Sequence, residues 1–498
     1  MEHTIYQHNY LYKMKKTLFL FLLCFAAFAA NAKDGYKIKV HFKQDVKDSV
    51  IYLARYFAKP PPTIYKIDSG KVVGKRTAVI ETRDSILGGI YMVLFANNSK
   101  YTDILVDNGV DFEITIDTAN MPTGNVFKGS EENTRHTAFQ KEAEQFGKQV
   151  QAIQAEMATA KNAADSQVVL DKSKKISADF KKVRRDYAAK YKGTLLASIF
   201  NAIDEPEAPE GKHYLADGKT VDSFYSFYYV KKHYWDKFDF KDNRLIIAPF
   251  YEKKLSNYFN NYVIPNPDTV LREADTLLAR TRGSKELFKY TLHWLAGWTE
   301  KNKLMGMDEV FVGLVDKYYS QGDAYWLDST QLAKYIDRAQ KIAPTVIGAP
   351  AQELVFQDIY TLQDISLRKM EAPYTLAVFW SFDCGHCAKE IPAIDSLYNA
   401  ELKKYGVKVY SVGGSSGGEA TTSDLQKFVE KHNLKEWTNV ANTRGEYDTR
   451  KLYDTYTLPK VYLLDENKII IGKLLDHSNI LQVLKYNEEK KKKAKGKS

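Results

Sequence analysis

The chain has 498 residues, which is too many for one hydrophobic core and predicts roughly three domains. Hydrophobic residues make up 44% and charged residues 27% of the sequence, a balance that excludes a wholly disordered chain. The formal net charge is +10, and residues 488–498 contribute six Lys and two Glu to it. We predict that this end is a disordered, solvated tail. The charge of the remaining chain requires no nucleic acid or other polyanionic partner.

Residues 1–32 have the three parts of a cleaved signal peptide. Met14-Lys15-Lys16 is the positive start, Leu18 to Ala30 is the apolar stretch, and Ala30-Asn31-Ala32 is a small-residue cleavage site. The apolar stretch falls short of the roughly 20 residues that a membrane anchor needs, which is the alternative interpretation. We therefore expect export to the periplasm or outer envelope, with either Met1 or Met14 as the true start.

Cysteines are scarce in this chain. Of the three present, cleavage would remove Cys24 and leave only Cys384 and Cys387. A lipid anchor on Cys24 is disfavoured, because the bulky Leu23 stands where lipoprotein signals carry a small residue. An exported protein whose only two thiols are separated by two residues uses them for redox chemistry or metal binding, not as a structural disulfide.

Residues 33–120 are predicted to form a β-rich N-terminal domain, a small antiparallel β-sandwich. Alternating apolar and polar residues between turn residues indicate strands at 36–42, 49–53, 90–95 and 112–116. The segment has no cysteine and no cluster of His and carboxylate side chains. We interpret it as an interaction module or spacer.

Residues 121–342 are predicted to be an α-helical region. A polar stretch from His136 to Tyr191, rich in Ala, Gln, Lys and Glu, predicts helical hairpins. Aromatic side chains then recur four residues apart on one predicted helical face: Tyr290, Trp294 and Trp298. We interpret this stripe as a packing surface, with a ligand groove as the alternative. His233 and His293 have no second ligand at metal spacing, so we predict that both are packed side chains.

Strands and helices alternate through residues 343–487, which predicts an α/β domain with the thioredoxin-like order of elements. Thr375 to Trp380 is an unbroken apolar run, as expected for a strand buried on both faces. Cys384-Gly385-His386-Cys387 follows it, and we predict that Cys384 begins a helix reaching about Tyr405. The other predicted elements are strands at 407–412, 460–464 and 468–474, helices at 424–432 and 447–456, and a last helix after Ser478.

The dithiol segment also resembles a known family, the bacterial TlpA/ResA-type thiol-disulfide oxidoreductases. The matching positions are Trp380, Cys384, Cys387, Glu390, Pro392 and Pro459. Two positions depart from the pattern: Val378 stands where thioredoxin has a buried Asp, and Asp383 replaces the Trp usual before the first cysteine. The whole chain is similar to a bacterial group that places a β domain and a helical region before such a domain.

The residues of the motif predict distinct roles. Cys384 is the predicted nucleophile, because backbone N–H groups and the dipole at a helix N-terminus stabilise a thiolate. Cys387 on the same turn is the predicted resolving thiol. Positive character on His386 would make the pair more oxidising, and Gly385-His386 is the dipeptide of protein disulfide isomerases. Asp383 adds a negative charge nearby unless it caps the helix.

The resemblance implies further roles. Glu390 would carry a proton to or from the buried thiol, with a plain surface carboxylate as the alternative. Pro459, if cis, would present the backbone of Leu458 to a substrate peptide, with an ordinary loop proline as the alternative. Trp380 is assigned to tuning the dithiol. The implied partners are protein thiols and disulfides as substrates and an upstream membrane electron donor or thioredoxin-like protein, with no cofactor.

Three other classes stay open. A zinc site would need four ligands and a second CxxC is missing, so we predict no metal. A thioredoxin-fold peroxidase is compatible with Ser381, but Ala377 stands where its signature proline would be. A non-enzymatic surface binding protein with a vestigial dithiol is the third class. Between redox directions, the TlpA/ResA resemblance favours a reductase and the Gly385-His386 dipeptide favours oxidation or isomerisation; we favour the reductase.

Overall fold

The computed structural model describes residues 34–59, 63–96, 100–416 and 420–495. The predicted signal peptide, with Cys24, lies outside these residues. The chain divides into two compact units. The first ends at Tyr262 and also contains Thr281–Leu287; the second contains Val263–Arg280 and the chain from Phe288 onward. The predicted helical region is therefore divided between the two units. Within the described residues, no helix is both long and apolar enough to cross a membrane.

The N-terminal β domain predicted from the sequence is confirmed. Its eight strands are β1 (Tyr36–Phe42), β2 (Val50–Arg55), β3 (Tyr65–Lys71), β4 (Thr77–Thr82), β5 (Gly89–Phe95), β6 (Tyr101–Val106), β7 (Val110–Ile116) and β8 (Val126–Lys128). They form two four-stranded sheets, of order β4-β1-β7-β8 and β3-β2-β5-β6. Alternate residues of β1, including Ile38 and Val40, are fully buried, as the period of a strand requires.

Two details of this domain differ from the prediction. The sheets are not wholly antiparallel, because β1 and β7 pair in parallel from Tyr36 opposite Val110 to Phe42 opposite Ile116. The long connection between these two strands permits the parallel pairing, which alternation alone does not reveal. The sheet also continues past residue 120, since β8 pairs with β7.

The rest of the first unit is helical. Its helices are α1 (Glu131–Thr159), α2 (Ala163–Lys190), α3 (Leu195–Ile203), α4 (Tyr225–His233) and α5 (Tyr251–Asn261). Ser130 and Asn162 cap α1 and α2 through their side-chain oxygens. Phe180 of α2 contacts Phe146 of α1 with ring centroids 4.9 Å apart, so the two long helices form the expected hairpin. His233 packs on Tyr229 at 4.4 Å.

Four more helices precede the α/β domain: α6 (Pro267–Thr281), α7 (Lys285–Lys301), α8 (Met307–Leu314) and α9 (Ser329–Ile342). On α7, Trp294 and Trp298 stack with centroids 5.7 Å apart, and Tyr290 is buried. His293 differs from its prediction as a packed side chain, because it is exposed on α7 and its Nδ1 lies 3.1 Å from the Tyr335 hydroxyl.

The thioredoxin-like α/β domain is also confirmed. Its strands are β9 (Val355–Asp358), β10 (Asp364–Ser366), β11 (Tyr374–Ser381), β12 (Val407–Gly414), β13 (Thr438–Ala441), β14 (Lys460–Leu464) and β15 (Ile470–Gly472). Its helices are α10 (Cys387–Ala400), α11 (Thr422–Lys431), α12 (Thr449–Tyr453) and α13 (Ile480–Lys495). The sheet order is β10-β9-β13-β12-β11-β14-β15, with β12 parallel and β14 antiparallel to β11.

Strand β11 is buried along its whole length and supplies both cores of the domain. Leu376, Val378 and Trp380 face the core that includes α10, whereas Ala377 and Phe379 face the opposite core. The run of apolar residues without alternation is thus explained by burial on both faces of the sheet. The strand ends next to the end of its parallel neighbour β12, where side chains of α/β proteins meet a ligand.

Residues 488–495 differ from the predicted disordered tail, because α13 continues to Lys495; residues 496–498 lie outside the described part of the chain. Lys491 lies over the ring of Tyr374 at 4.4 Å, and the Tyr374 hydroxyl donates a hydrogen bond to Glu488. The lysine-rich helix can pack here because the aliphatic stem of a lysine such as Lys491 covers apolar surface while its charged end reaches water.

Ion pairs join α8 and α9 to the α/β domain within the second unit. Arg338 of α9 bonds Asp454 at 2.6 Å, and Lys460 of β14 bonds the same carboxylate at 3.1 Å. Lys473 is 5% exposed; its ammonium pairs with Asp308 of α8 and donates to the Thr345 hydroxyl at 3.1 Å. Ion pairs between buried or partly buried side chains therefore connect these two helices to the thioredoxin-like domain.

Candidate active site

The two cysteines lie at the junction of β11 and α10. β11 ends at Ser381, a turn follows, and α10 begins at Cys387, three residues later than predicted. The Cys384 carbonyl accepts the N–H of Ala388 at 3.0 Å, the first hydrogen bond of helical spacing. The N-terminal capping residue of α10 is His386, so Cys384 lies in the turn that precedes the helix.

The Cys384 sulfur has two backbone partners. Its Sγ accepts the N–H of Cys387 at 3.3 Å, as the oxygen of an N-terminal capping residue would. It also lies 3.7 Å from the carbonyl oxygen of Leu458, to which the protonated thiol donates. The sulfur thus has one backbone donor and one backbone acceptor beside it.

The Cys387 sulfur is in a different environment. Cys387 is fully buried and Cys384 is partly exposed, and both are free thiols. Burial, with a smaller contribution from its hydrogen bond to the Cys384 side chain, raises the pKa of Cys387 to about 12. The Cys384 thiol is therefore accessible to a substrate, whereas the Cys387 thiol is accessible only to neighbouring groups of the protein.

Alkylation should show this difference. At pH 8 a thiol with a pKa of about 12 is ionised in only about one molecule in ten thousand. At pH 8 we expect iodoacetamide to label the partly exposed Cys384 of the reduced protein and to leave Cys387 unlabelled, as read by peptide mass spectrometry. Urea-unfolded protein is the control and should label at both positions. Equal labelling in the folded protein would contradict the unequal environments.

Asp383 does not cap the helix, which corrects one of the two roles that the sequence left open. Its carboxylate accepts the N–H of Ser416 at 2.8 Å and the hydroxyl of Ser415 at 3.0 Å, and the Ser381 hydroxyl also donates to it. These hydrogen bonds, with that of Ser381 the largest, hold the pKa of Asp383 well below its usual range. The carboxylate fixes the loop after β12 beside Cys384 and keeps its negative charge there.

Trp380 is 2% exposed and packs within the core below the dithiol. Its indole N–H donates to the Ser411 hydroxyl at 2.8 Å, and its ring stacks on Phe428 at 4.3 Å. The assignment to tuning of the dithiol stays a prediction. The contacts themselves are those of a side chain that supports the end of β11.

Removing the Ser411 hydroxyl should destabilise this support. Ser411→Ala would leave the buried Trp380 N–H without an acceptor, which costs about 1–3 kcal/mol. Urea unfolding monitored by tryptophan fluorescence measures the change in the free energy of unfolding. Ser396→Ala, at an exposed position of α10, is the control and should change it by less than about 0.5 kcal/mol. A Ser411→Ala variant as stable as the control would show that the hydrogen bond contributes nothing.

Glu390 lies one helical turn after Cys387 and is 8% exposed, so it is not the plain surface carboxylate of the alternative interpretation. Its carboxylate accepts the backbone N–H of His477 at 2.7 Å, and the His477 Nδ1 lies 2.9 Å from Oε2. His477 itself was missed from the sequence, since a lone histidine before the last helix gives no spacing signal. The pair links the buried carboxylate to a half-exposed imidazole.

The remaining predicted site residues lie around the dithiol. Gly385 and His386 are exposed in the turn between the cysteines. The bond between Leu458 and Pro459 is cis, and the Leu458 carbonyl faces Cys384 as described above. Cys384 and Leu458 line a cleft with residues from the ends of β11, β12 and α12. No group of three or more His, Cys, Asp or Glu that could hold a metal ion occurs in the part of the chain that the structure describes.

A partly exposed cysteine that accepts a helix N–H, a buried second cysteine and a neighbouring cis-proline define a thioredoxin-like dithiol site. Residues 347–473 match the AhpC/TSA family, and residues 220–343 match a domain of unknown function, DUF5106. The segment 347–473 is therefore an AhpC/TSA-family, thioredoxin-like thiol-disulfide oxidoreductase domain.

Curated relatives agree with this class. A thioredoxin-like protein of Haemophilus influenzae is 29% identical over 128 residues, 25% of this chain and 68% of the relative. Thiol-disulfide oxidoreductase ResA of Halalkalibacterium halodurans is 27% identical over 124 residues, 25% of this chain and 65% of the relative. The chain thus spans about two thirds of the length of these relatives.

Two solved structures are similar to parts of the chain. A domain of a possible thiol-disulfide isomerase from Cytophaga hutchinsonii is 30% identical, with 30% of this chain and 99% of that chain covered and a TM-score of 0.28. A thioredoxin-like protein from Bacteroides caccae is 19% identical, with 56% and 99% covered and a TM-score of 0.43.

Proposed function

We propose that this protein is an exported thiol-disulfide oxidoreductase that reduces disulfides in protein substrates through Cys384 and Cys387. The observation that carries the proposal is the position of the Cys384 sulfur, which accepts a helix N–H and lines an open cleft while Cys387 is buried beside it. Export is proposed from the signal-peptide features of residues 1–32. The periplasm or outer envelope is the proposed location.

The first step would be attack by the Cys384 thiolate on one sulfur of a substrate disulfide. A mixed disulfide forms with Cys384, and the second substrate sulfur leaves as a thiolate that takes up a proton. The N–H of Cys387 stabilises the attacking thiolate before the reaction. The Leu458 carbonyl, beside the same sulfur, offers an acceptor to a substrate backbone.

The second step would need a thiolate at Cys387, whose raised pKa opposes ionisation. Glu390, buried one turn along α10, is the proposed acceptor of that proton, and its contact with His477 leads toward solvent. Cys387 then attacks the Cys384 sulfur of the mixed disulfide, and the reduced substrate departs. The protein is left oxidised by two electrons, and the proposed upstream partner, a membrane electron donor or thioredoxin-like protein, returns them.

Insulin reduction by dithiothreitol, followed as turbidity, tests the proposed exchange activity. The wild-type protein should accelerate the precipitation of insulin, and Cys384→Ser should not. Equal rates for the two proteins would contradict the proposal. The direction is tested separately by equilibrium with glutathione. A strongly negative reduction potential supports a reductase, and a potential in the range of disulfide isomerases would replace it with oxidation or isomerisation.

A further inference from the structure

The cleft beside Cys384 has an uneven distribution of charge. Fourteen described residues line it: Phe379, Trp380, Cys384, Val412, Gly413, Gly414, Ser415, Ser416, Asn442, Thr449, Arg450, Thr455, Tyr456 and Leu458. Arg450 of α12 is the one charged side chain among these fourteen. Its guanidinium has no carboxylate within ion-pair distance in the described residues 34–59, 63–96, 100–416 and 420–495. The cleft therefore carries an exposed guanidinium that stays positively charged and is available to bind a carboxylate.

Negative charge adjoins the part of the cleft wall that Ser415 and Ser416 form. Asp383 precedes Cys384, and its carboxylate is held by Ser415 and Ser416, whose residues form that wall of the cleft. An acidic substrate residue is repelled at this wall and attracted at the wall of Arg450.

The wall that carries Arg450 is held in place by contacts to α9. Asp454, which follows α12, bonds both Arg338 of α9 and Lys460 of β14. The ammonium of Lys341, also on α9, lies 4.9 Å from the ring centre of Tyr456, a half-exposed aromatic side chain of the cleft. These contacts connect the backbone next to Arg450 to α9 and β14. Lys341 itself is paired with Asp337 at 2.5 Å, so the guanidinium of Arg450 is the positive charge that this wall offers to a substrate.

From these features we propose that Arg450 selects acidic substrate segments, so that the preferred substrates carry Asp or Glu close to the disulfide that Cys384 attacks. This specificity rests on the proposed exchange activity. The carboxylate binds the guanidinium, and the peptide backbone lies past Tyr456 toward Leu458. A planar guanidinium that accepts a carboxylate in two parallel hydrogen bonds suits this recognition.

The test compares two model peptides with the full-length mature protein. Each peptide has one cysteine in a mixed disulfide with 2-mercaptoethanol, which is uncharged, and carries either Glu or Gln two residues before and two residues after it. Rates of reduction by the dithiol form are measured by stopped flow at low salt. We expect a second-order rate constant about fivefold higher for the Glu peptide, the size that one exposed ion pair allows. The preference should shrink at 0.5 M salt.

Variants connect the preference to the side chain. Arg450→Gln should react with the two peptides at equal rates, and Arg450→Glu should prefer the Gln peptide. Lys408→Gln is the matched control, because Lys408 is exposed at the far end of the β11 and β12 pair, and it should keep the wild-type preference. Equal rates for both peptides with the wild-type protein would overturn the acidic specificity and leave the exchange activity intact. If the wild-type protein reacted with neither peptide, both the acidic specificity and the exchange activity would be overturned.

Discussion

Cys387→Ser should convert the protein into a trap that stays joined to its substrate through Cys384. The variant keeps the partly exposed nucleophile and its backbone contacts but lacks the thiol that resolves the mixed disulfide. Insulin turnover should fall to the rate of dithiothreitol alone, the largest change in activity that we expect. Non-reducing gels should show a covalent adduct with an oxidised protein substrate that disappears on reduction.

Two controls define the trapped species. Cys384→Ser should form no adduct, because Cys387 is buried and its raised pKa keeps it protonated at neutral pH. The double variant Cys384→Ser/Cys387→Ser should behave in the same way. Adducts of equal yield on Cys384→Ser would mean that Cys387 is the residue that attacks, and the assigned order of the two thiols would then be wrong.

Asp308→Ala should produce the largest loss of stability. It removes the carboxylate that pairs with Lys473, whose side chain is 6% exposed. Among the described residues, the Thr345 hydroxyl is then the remaining hydrogen-bond acceptor of that ammonium. Burial lowers the pKa of Lys473, and the charge of Asp308 opposes that shift, so removing the carboxylate takes away favourable interaction with the charged lysine. Breaking a buried pair from one side costs about 3–5 kcal/mol.

Chemical unfolding in urea measures this loss, and two variants serve as comparisons. The double replacement Asp308→Leu/Lys473→Met removes both charges and should recover most of the stability, since no uncompensated charge stays buried. Glu430→Ala breaks an exposed pair with Lys435 and should cost less than about 1 kcal/mol. A loss from Asp308→Ala no greater than that from Glu430→Ala would show that the buried pair contributes little.

The sequence predicted the thioredoxin-like domain because its main strands are strongly patterned. The unbroken run of Thr375–Trp380 could be recognised as a doubly buried strand, and strand β14 has the limits expected for it. Short or polar strands were missed, as the YKIDSGK of β3 shows, because few of its residues are buried and alternation is then absent. Such strands form through pairing with a neighbour, which a local pattern does not contain.

Parts of the site could be read from the chain and parts could not. The CxxC spacing was enough to place Cys384 and Cys387 on one turn, and the family resemblance pointed to Glu390 and Pro459. The partners of these residues come from distant segments, as the contact of His477 with Glu390 across 87 residues illustrates. The function of Asp383 was left open by the sequence and depended on Ser415 and Ser416, which a turn after β12 brings to it.

The ion pairs of Lys473 and Asp454 affect the choice of the first residue in a truncated form of this protein. A recombinant fragment that began at residue 347, where the AhpC/TSA match starts, would lose Asp308 and Arg338 and expose the surface that they cover. The compact unit that contains the dithiol domain extends further upstream, since it includes Val263–Arg280 and the chain from Phe288. The family match and the compact unit therefore begin at different residues. A truncation that starts at the family match would remove part of the compact unit.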